Sequence, residues 1–404
     1  MSVLAQVGYG KKNLIQDALG LQSITGAIVS ARSERLDSIG PFMSGVRQAY
    51  DHSVLLFDPQ CYMQTMPDVD LGHIDEYPFF LPSLQTDSLL TPRQIMEWVR
   101  LTVDYQLGLP VTYVLSPTEF VGSLVSESLF TSLSLAAETL AHVEERGEDS
   151  SRVLVSLCLS HNVLTDRRNL NTLLNKLTGT PAGSAAGVYL VIDVDSDERE
   201  LSSQEPYMDS HSLAALMRIC YGIGQLNERV VHVAFAGYVG LLLQAVGATS
   251  TSAGWFTKER RFSQRDYRPR AVGHQPNERY SSSKLMTSVL VNPNLRNYVQ
   301  LLGPEEVITN ARPGTPQPIV SGQIASWPAR TDCSHFWDDM TQRIALLEQP
   351  ESVSDRLGVV ELWLHQARDR WQTIRAQNSA LAPEPRHIDT MLAAAQEFRN
   401  ENSI

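Results

Sequence analysis

Short apolar runs recur through the first 250 residues, and segments with helical spacing of apolar residues separate them. Apolar runs that are bounded by polar residues predict strands covered on both faces. We predict strands at 23–31, 53–58, 111–115, 152–159, 187–192, 230–236 and 247–253. We predict helices at 35–50, 92–108 and 122–146, from about 166, at 210–226, and in a short segment that ends at 246. This alternation of strands and helices is typical of repeated βα units.

Polar residues or glycine end nearly every one of these predicted strands. In a (β/α)8 TIM-like barrel the functional residues lie at the carboxyl ends of the strands. We therefore predict an α/β fold of this type, with seven strands assigned and the eighth not located. A doubly wound sheet is the alternative. Residues 65–91 carry Pro and Asp with little periodicity, and they predict a long loop over the mouth of the barrel.

From about residue 330 the spacing of apolar residues becomes helical. We predict three helices there, at 335–348, 354–377 and 388–401. The chain is accordingly divided into a TIM-like barrel catalytic domain, 1–329, and a helical C-terminal extension, 330–404. The extension is expected to pack on the barrel or to form a subunit contact in a homo-oligomer.

The composition indicates a globular protein with a large apolar core. The chain has 404 residues, of which 43% are hydrophobic and 19% charged, and its formal net charge is −12. This charge disfavours non-specific attraction to nucleic acid, so a polyanion would need a local basic patch. The four cysteines lie far apart and suggest no disulfide framework, which favours the reduced cytoplasm. The sequence shows neither a signal peptide nor a membrane-spanning run, so we expect no membrane partner.

The apolar run at 53–57 ends in Asp58. A proline separates Asp58 from Gln60, and a cysteine separates Gln60 from Tyr62. Because chemistry in α/β barrels lies at the carboxyl ends of strands, this pattern predicts a catalytic carboxylate in a pocket. We predict that Gln60 and Tyr62 contact the substrate beside it. In the alternative interpretation, Asp58 only caps the following turn by accepting backbone N–H groups.

Segment 254–270 combines six Lys or Arg residues with four aromatic residues in an otherwise acidic chain. Basic side chains can neutralise phosphates, and aromatic faces can stack bases. We predict that Trp255, Lys258, Arg260 and Arg261 contact nucleic acid at the lip of the pocket. The alternative is a solvated loop that its aromatic residues anchor, since no established nucleic-acid motif accompanies the patch.

Asp193 follows the predicted strand at 187–192, and Asp195 lies on the same face of the chain. These residues could supply a second catalytic carboxylate or bind a divalent cation. Further acidic residues follow, so the alternative is the start of a solvated acidic loop.

Two other strand ends carry polar groups that could contact a substrate. His161 and Asn162 follow the strand at 152–159 and could hydrogen-bond the edge of a base. Gly237 and Tyr238 begin a turn where backbone N–H groups could approach a phosphate at a helix N-terminus. The structural alternatives are an ordinary buried histidine and a glycine turn that matches no nucleotide-binding fingerprint.

Residues 58–63 resemble the strand-end motif D-S-G-G-F-Q of the tRNA-guanine transglycosylases, a family that includes DNA-acting relatives. Asp58 stands on the family aspartate, and Tyr62 stands on the aromatic position. A later family segment, G-V-D-x-F-D-x-x-x-P-T-R, is similar to residues 247–258, where Lys258 stands on the final arginine. The resemblance covers residues 20–290 in the order of elements. It implies a (β/α)8 enzyme that cleaves a base from its sugar.

Two departures from this family pattern change the expected reaction. The C-x-C-x-x-C cluster and the histidine that bind the family's zinc are missing from the sequence, so we expect no metal and no cofactor. Ser252 stands where the resemblance would place the nucleophilic second aspartate. We therefore expect Asp58 to activate water or to stabilise an oxocarbenium-like sugar, which would release a base rather than exchange it.

The sequence thus predicts an N-glycosylase or transglycosylase-like enzyme that excises a modified base from nucleic acid. DNA is favoured over RNA as the partner, and defence against phages is one setting. Two other classes stay open. One is a barrel without catalysis that binds nucleic acid or acts as a scaffold, and the other is a small-molecule barrel hydrolase that would use Asp58 and Asp193.

Overall fold

The computed structural model describes residues 1–8, 10, 12–86, 91–179, 181–194, 209–255, 257–269, 277–309, 319–320, 323–324, 327–377 and 385–404. Nine parallel strands of this part of the chain form one sheet. They are β1 (Ser2–Val7), β2 (Gly26–Ser30), β3 (Val54–Asp58), β4 (Val114–Leu115), β5 (Phe120–Val121), β6 (Val153–Ser160), β7 (Gly187–Asp193), β8 (Val230–Val233) and β9 (Ser250–Gly254). The order across the sheet is β3-β2-β1-β9-β8-β7-β6-β4, with β5 paired to β6.

The two ends of this order meet, so the sheet forms a nearly closed barrel. The backbone N–H of Thr112, just before β4, donates to the carbonyl oxygen of Leu55 in β3 at 2.7 Å. The backbone N–H of Leu55 donates to Oγ1 of the same threonine at 2.9 Å. Strands β4 and β5 pair in turn with the start and the end of β6 and occupy one barrel position together. The predicted (β/α)8 barrel is confirmed.

Strand β1 is the eighth barrel strand that the sequence did not reveal. It lies between β2 and β9, where Leu4 pairs with Gly26 on one side and with Ser252 on the other. Its run of six residues contains a glutamine and lies at the start of the chain, so it lacks the two flanking boundaries that identify the other strands. The first helix of the barrel was missed together with it.

The barrel helices follow the strands in alternation. They are α1 (Lys12–Gly20), α2 (Leu36–Ala49), α3 (Pro92–Leu107), α4 (Glu127–Glu145), α5 (Arg167–Thr178), α6 (Ser210–Cys220), α7 (Val239–Ala245) and the short α8 (Thr257–Arg260). The predicted start of α3 is confirmed, because the Thr91 side chain accepts from the Gln94 backbone N–H and the Gln94 side chain accepts from the Thr91 backbone in a capping box. Helix α4 begins five residues later than predicted, since residues 120–121 form β5.

The predicted loop at 65–91 is described as far as residue 86, and its two parts have different positions. Tyr77 and Phe79 pack on Phe57, whose neighbour Asp58 faces the barrel interior, so this part covers the outer side of β3. Asp70 accepts from the Arg32 guanidinium at 2.7 Å, which brings the earlier part of the loop to the mouth. Only that earlier part lies where the loop was predicted to be.

A hairpin, two small strands and five helices follow the barrel. They are β10 (Arg279–Ser282), β11 (Thr287–Leu290), α9 (Arg296–Leu302), α10 (Pro304–Val307), β12 (Ile319–Val320), β13 (Gln323–Ile324), α11 (Ala329–Leu347), α12 (Val353–Gln377) and α13 (Arg386–Asn402). The three predicted C-terminal helices are α11, α12 and α13. No helix in the described ranges combines the length and the apolar character that a membrane span needs.

The C-terminal helices pack on the outside of the barrel. In α11, the indole N–H of Trp337 donates to the carbonyl oxygen of Ala253 at 2.8 Å. In α12, Nε of Arg356 donates to the carbonyl oxygen of Ala245 at 2.9 Å. In α13, the Phe398 ring meets that of Tyr221 edge to face. Of the two predicted uses of the extension, packing on the barrel is therefore observed, and a homo-oligomeric contact stays a prediction.

Candidate functional site

Asp58 is the last residue of β3, and its carboxylate lies inside the barrel with only 2% of the residue exposed. Oδ1 accepts the backbone N–H of Gln60 at 2.9 Å. Oδ2 accepts two tyrosine hydroxyls, from Tyr189 in β7 at 2.9 Å and from Tyr62 at 3.1 Å. The carboxylate is thus held in one orientation by donors from both sides of the barrel.

Burial raises the pKa of Asp58 to about 6, and the hydrogen bonds from Gln60, Tyr189 and Tyr62 limit that rise. A carboxyl group with this pKa exchanges its proton near neutral pH. Such a group can act as a general acid or a general base under physiological conditions.

The raised pKa predicts a loss of stability as the pH rises. Between the ordinary pKa of 3.8 and the folded value of about 6, the folded state binds more protons at Asp58 than the unfolded state does. The contribution of Asp58 to the free energy of unfolding should therefore fall by about 3 kcal/mol between about pH 4 and pH 6 and stay constant above that. Urea unfolding of the wild type and of Asp58→Asn over this range isolates the effect. Parallel pH profiles for the two proteins would contradict it.

Gln60 connects the ends of two neighbouring strands. It adopts a left-handed backbone conformation, with φ of 50°, immediately after a proline, and this turns the chain sharply at the end of β3. Its side-chain oxygen accepts the backbone N–H of Arg32, just beyond β2, at 3.1 Å. Gln60 and Tyr62, both predicted to contact the substrate, lie beside Asp58. Their observed contacts are with the protein itself.

Two aromatic residues cover the mouth of the barrel above Asp58, and we call Phe262 and Tyr267 the aromatic plug. Phe262 meets Tyr62 edge to face at 5.4 Å and stacks on Tyr267 at 5.2 Å between ring centroids. The Arg32 guanidinium lies 4.8 Å from the centre of the Tyr267 ring on the outer side. Asp58 beneath the aromatic plug is 2% exposed, so a ligand would have to displace protein groups to reach its carboxylate.

Arg260 and Arg261 are not at the surface where nucleic acid was expected to bind. Arg260 is 3% exposed, and its guanidinium binds the carbonyl oxygen of Gly254, Ser288 Oγ and Asp332 Oδ2. Arg261 is equally buried and pairs with Asp266 at 3.5 Å. The prediction that these two arginines hold phosphates therefore needs correction, because their charges are directed inward. A charge pattern in the sequence cannot distinguish a solvated arginine from one with an internal partner.

The rest of the predicted basic patch is less buried. Trp255 follows β9 and is partly exposed, and its backbone N–H donates to Oε2 of Glu259 at 2.7 Å. Lys258 lies in α8, but its side chain lies outside the described part of the chain. Of the four predicted contact residues in this patch, Trp255 is the one with a described side chain that is not buried.

Asp193 ends β7 and faces the same interior space as Asp58. Tyr189 and Asp193 are four residues apart in one strand, so both side chains point to the interior. Oδ1 of Asp193 accepts the backbone N–H of Gln264 at 2.8 Å, which ties the strand end to the segment that carries the aromatic plug. Burial is the largest cause of the raised pKa of the Cys158 thiol, and the nearby charges of Asp193 and Asp58 raise this pKa further. Asp195 lies outside the described residues.

The four remaining residues that were predicted to contact a substrate are His161, Asn162, Gly237 and Tyr238. His161 is partly buried, with Nδ1 3.1 Å from the Asp193 carbonyl oxygen, and Asn162 is exposed beside it. Gly237 has a φ of 50° in the turn before α7. The ring of Tyr238 is fully buried and meets Phe336 of α11 at 5.1 Å. Of these four residues, Asn162 presents its side chain to solvent, and Tyr238 packs away from the mouth.

A row of polar side chains in the barrel interior was missed by the sequence analysis. Ser252 in β9 donates to Oε1 of Gln6 in β1 at 2.9 Å, and Nε2 of Gln6 donates to Ser30 Oγ in β2 at 2.9 Å. Ser30 pairs with Asp58 across the sheet. Tyr189 was also missed, although its spacing from Asp193 in a predicted strand indicates the same face. Ser252 is part of this hydrogen-bonded row, so its hydroxyl has a structural partner.

A second group of missed residues lines a cavity of about 350 Å³ close to the ends of β1 and β2. Lys12 and His73 form part of its wall, and the Lys12 ammonium lies 3.0 Å from Oε2 of the buried Glu34. Among the described residues, Oε1 of Glu34 has no hydrogen-bond donor. The signal in the sequence is the pattern Gly8, Gly10 and Lys12 after an apolar run, and it depends on recognising β1.

The described residues contain no group of three or more His, Cys, Asp or Glu side chains that could hold a metal ion. No family model matches this chain, and no curated protein matches it either.

Proposed function

We propose that this protein cleaves N-glycosidic bonds in nucleic acid, with Asp58 at its catalytic centre. The observation that carries the proposal is the Asp58 carboxyl group, buried at the carboxyl end of a barrel strand with a pKa of about 6. Buried carboxyl groups with shifted pKa values are typical of acid–base catalysts. Barrel enzymes perform their chemistry at this end of the strands.

The proposed reaction is hydrolysis. At neutral pH, Asp58 is mostly ionised and takes a proton from water as that water attacks C1′ of the sugar and the C1′–N bond breaks. The departing base takes up a proton from solvent, and Asp58 then releases its own proton to solvent. Asp193 faces the same interior and stabilises positive charge on the sugar. The aromatic plug moves aside, and a base that is flipped out of the polymer takes its place.

The resemblance of residues 58–63 and 247–258 to the tRNA-guanine transglycosylases supports a base as the leaving group. Trp255, partly exposed at the end of β9, offers a ring on which a base could stack. We propose DNA that carries a modified base as the substrate, with anti-phage defence as the setting. Charged contacts from Arg260 and Arg261 play no part in this proposal.

The direct test is to incubate the protein with modified and unmodified DNA and RNA. Hydrolysis predicts that free base and abasic sugars appear in equal amounts without an added base. A labelled 7-deazaguanine in the mixture should leave no label in the polymer. Stoichiometric incorporation of label would instead support base exchange, and no released base from any polymer would overturn the proposed function.

The pH dependence of the reaction gives a further prediction. With Asp58 as the base, kcat/KM should rise with pH up to about 6 and then level off. The Tyr189 hydroxyl lowers the pKa of Asp58, so Tyr189→Phe should move this rise to higher pH. Tyr50→Phe is the matched control, because the Tyr50 hydroxyl binds the Gln16 carbonyl oxygen outside the barrel. A rise at the same pH in Tyr189→Phe would show that another group titrates.

A barrel without catalysis is the second candidate. It is favoured by the occlusion of Asp58, whose two oxygens both have protein donors and which lies under the aromatic plug. In this case the carboxylate stabilises the mouth of the barrel, and the protein acts as a binding or scaffold component. Binding of nucleic acid without release of base, unchanged in Asp58→Asn, would support this function over hydrolysis.

A further inference from the structure

A cavity of about 280 Å³ lies outside the barrel, between the turn of the β10–β11 hairpin and helices α11 and α12. Its wall includes Lys284 from the turn, Asp339 and Arg343 from α11, and Trp363 and Arg370 from α12. Three cationic side chains and one acidic side chain therefore face a single small space. The proposed barrel function uses none of these residues.

The three cations are held in place by the protein. Arg343 lies 4.8 Å from the centre of the Trp363 ring, and its Nη2 donates to Ser283 Oγ at 2.6 Å. Arg370 Nε pairs with the Glu306 carboxylate at 2.7 Å, and the Lys284 ammonium donates to a backbone carbonyl oxygen. Because their positions are fixed in advance, an anion can bind all three at little cost in side-chain entropy.

The positive charges in the wall of the cavity repel each other. Burial lowers the pKa of Lys284, and the neighbouring Arg370 charge lowers it further. An anion with several oxygens would relieve this repulsion and accept charge-assisted hydrogen bonds from each cation. A phosphate group provides three terminal oxygens for three donors.

Asp339 adds a requirement for a hydrogen-bond donor on the ligand. Its Oδ1 accepts Ser283 Oγ at 2.9 Å and pairs with Arg343 Nε at 3.4 Å, but no donor among the described residues reaches its buried Oδ2. A buried acceptor without a partner lowers the stability of the protein. A hydroxyl group on the ligand would satisfy this oxygen once the Asp339 carboxylate turns toward the cavity, because Oδ2 itself has almost no accessible surface.

We propose that this cavity binds a small phosphate ester of a polyhydroxy compound. The phosphate contacts Lys284, Arg343 and Arg370, and a hydroxyl group donates to Oδ2 of Asp339. The volume of about 280 Å³ suits a sugar phosphate. The site is separate from Asp58 and does not depend on the proposed function.

The test is a fluorescence titration with ribose 5-phosphate, ribose and inorganic phosphate, since Trp363 lies in the wall. We expect a saturable signal with ribose 5-phosphate that is lost in Trp363→Phe. Arg370→Gln should weaken binding by about 10-fold or more, because it removes a charged hydrogen bond. Arg368→Gln is the matched control, since Arg368 lies on the same helix and contacts His365 instead. Calorimetry repeats the titration without relying on the tryptophan signal.

Two results would overturn the proposal. Equal affinities in Arg370→Gln and Arg368→Gln, with both variants folded by circular dichroism, would show that the phosphate does not bind in this cavity. Equal affinities for inorganic phosphate and ribose 5-phosphate would show that no hydroxyl group is recognised. Asp339→Asn provides the complementary measurement, because it should remove the preference for ribose 5-phosphate and keep the binding of inorganic phosphate.

Discussion

Asp58→Asn is expected to reduce base release by about 10²–10⁴-fold, the usual contribution of a general base. The amide has the same shape as the carboxylate but cannot accept a proton from water. The fold should persist, because the amide oxygen can still accept the Gln60 backbone N–H while the amide N–H groups donate to the Tyr189 and Tyr62 hydroxyl oxygens. Single-turnover assays of released base, with circular dichroism on the same samples, measure both effects.

Asp51→Asn is the matched control for this variant, because Asp51 is exposed near the start of β3, at the opposite end of the strand. It should retain full activity. Unchanged base release in Asp58→Asn would refute the catalytic assignment. Unfolding of Asp58→Asn would support the purely structural interpretation, in which the carboxylate only holds the turn after β3.

Features that depend on neighbours along the chain could be predicted from the sequence. The capping box at Thr91 and the burial of β7 follow from local residue types. Asp58 could be placed at a strand end for the same reason. Strand β1 could not be predicted, because its strand character depends on pairing with β9, and the paired residues Ser2 and Ser250 are 248 positions apart in the chain.

Features that depend on distant partners were beyond the sequence. Tyr189 donates to Asp58 across 131 positions, and Arg260 binds Asp332 across 72. Contacts between residues so far apart along the chain leave no periodic pattern in the sequence. The sequence could therefore indicate that Asp58 lies at a strand end, but not that its carboxylate is buried and shared between two tyrosines.

The basic segment shows how this limitation affects functional inference. Its arginines alternate with aromatic residues, and the same residue types serve nucleic-acid binding and internal packing. In the fold, Arg260 lies 4.6 Å from the centre of the Phe336 ring, and Phe262 enters the mouth of the barrel. The segment packs at the mouth of the barrel, where its aromatic residues fill space and its arginines pair with acidic residues of the protein.

Arg260→Gln should therefore lower the free energy of unfolding by about 3–5 kcal/mol, the cost of removing one partner of a buried ion pair. The loss arises because Asp332, which is 4% exposed, would keep its charge without the guanidinium at 2.8 Å. Urea unfolding measures the change, and exposed Arg268→Gln is the matched control. Adding Asp332→Asn to Arg260→Gln should recover part of the stability, since it removes the unpaired charge.

The same variants decide between the structural and nucleic-acid-binding interpretations of the segment. If Arg260 contacted phosphate, Arg260→Gln would stay stable, bind nucleic acid more weakly and show a smaller dependence of affinity on salt. If Arg260 holds the hairpin and α11 to the barrel, the free energy of unfolding of Arg260→Gln falls. The molecules that stay folded then bind nucleic acid with an unchanged dependence of affinity on salt. The geometry of the Asp332 pair favours the second result, because both partners lie inside the protein and make their hydrogen bonds there.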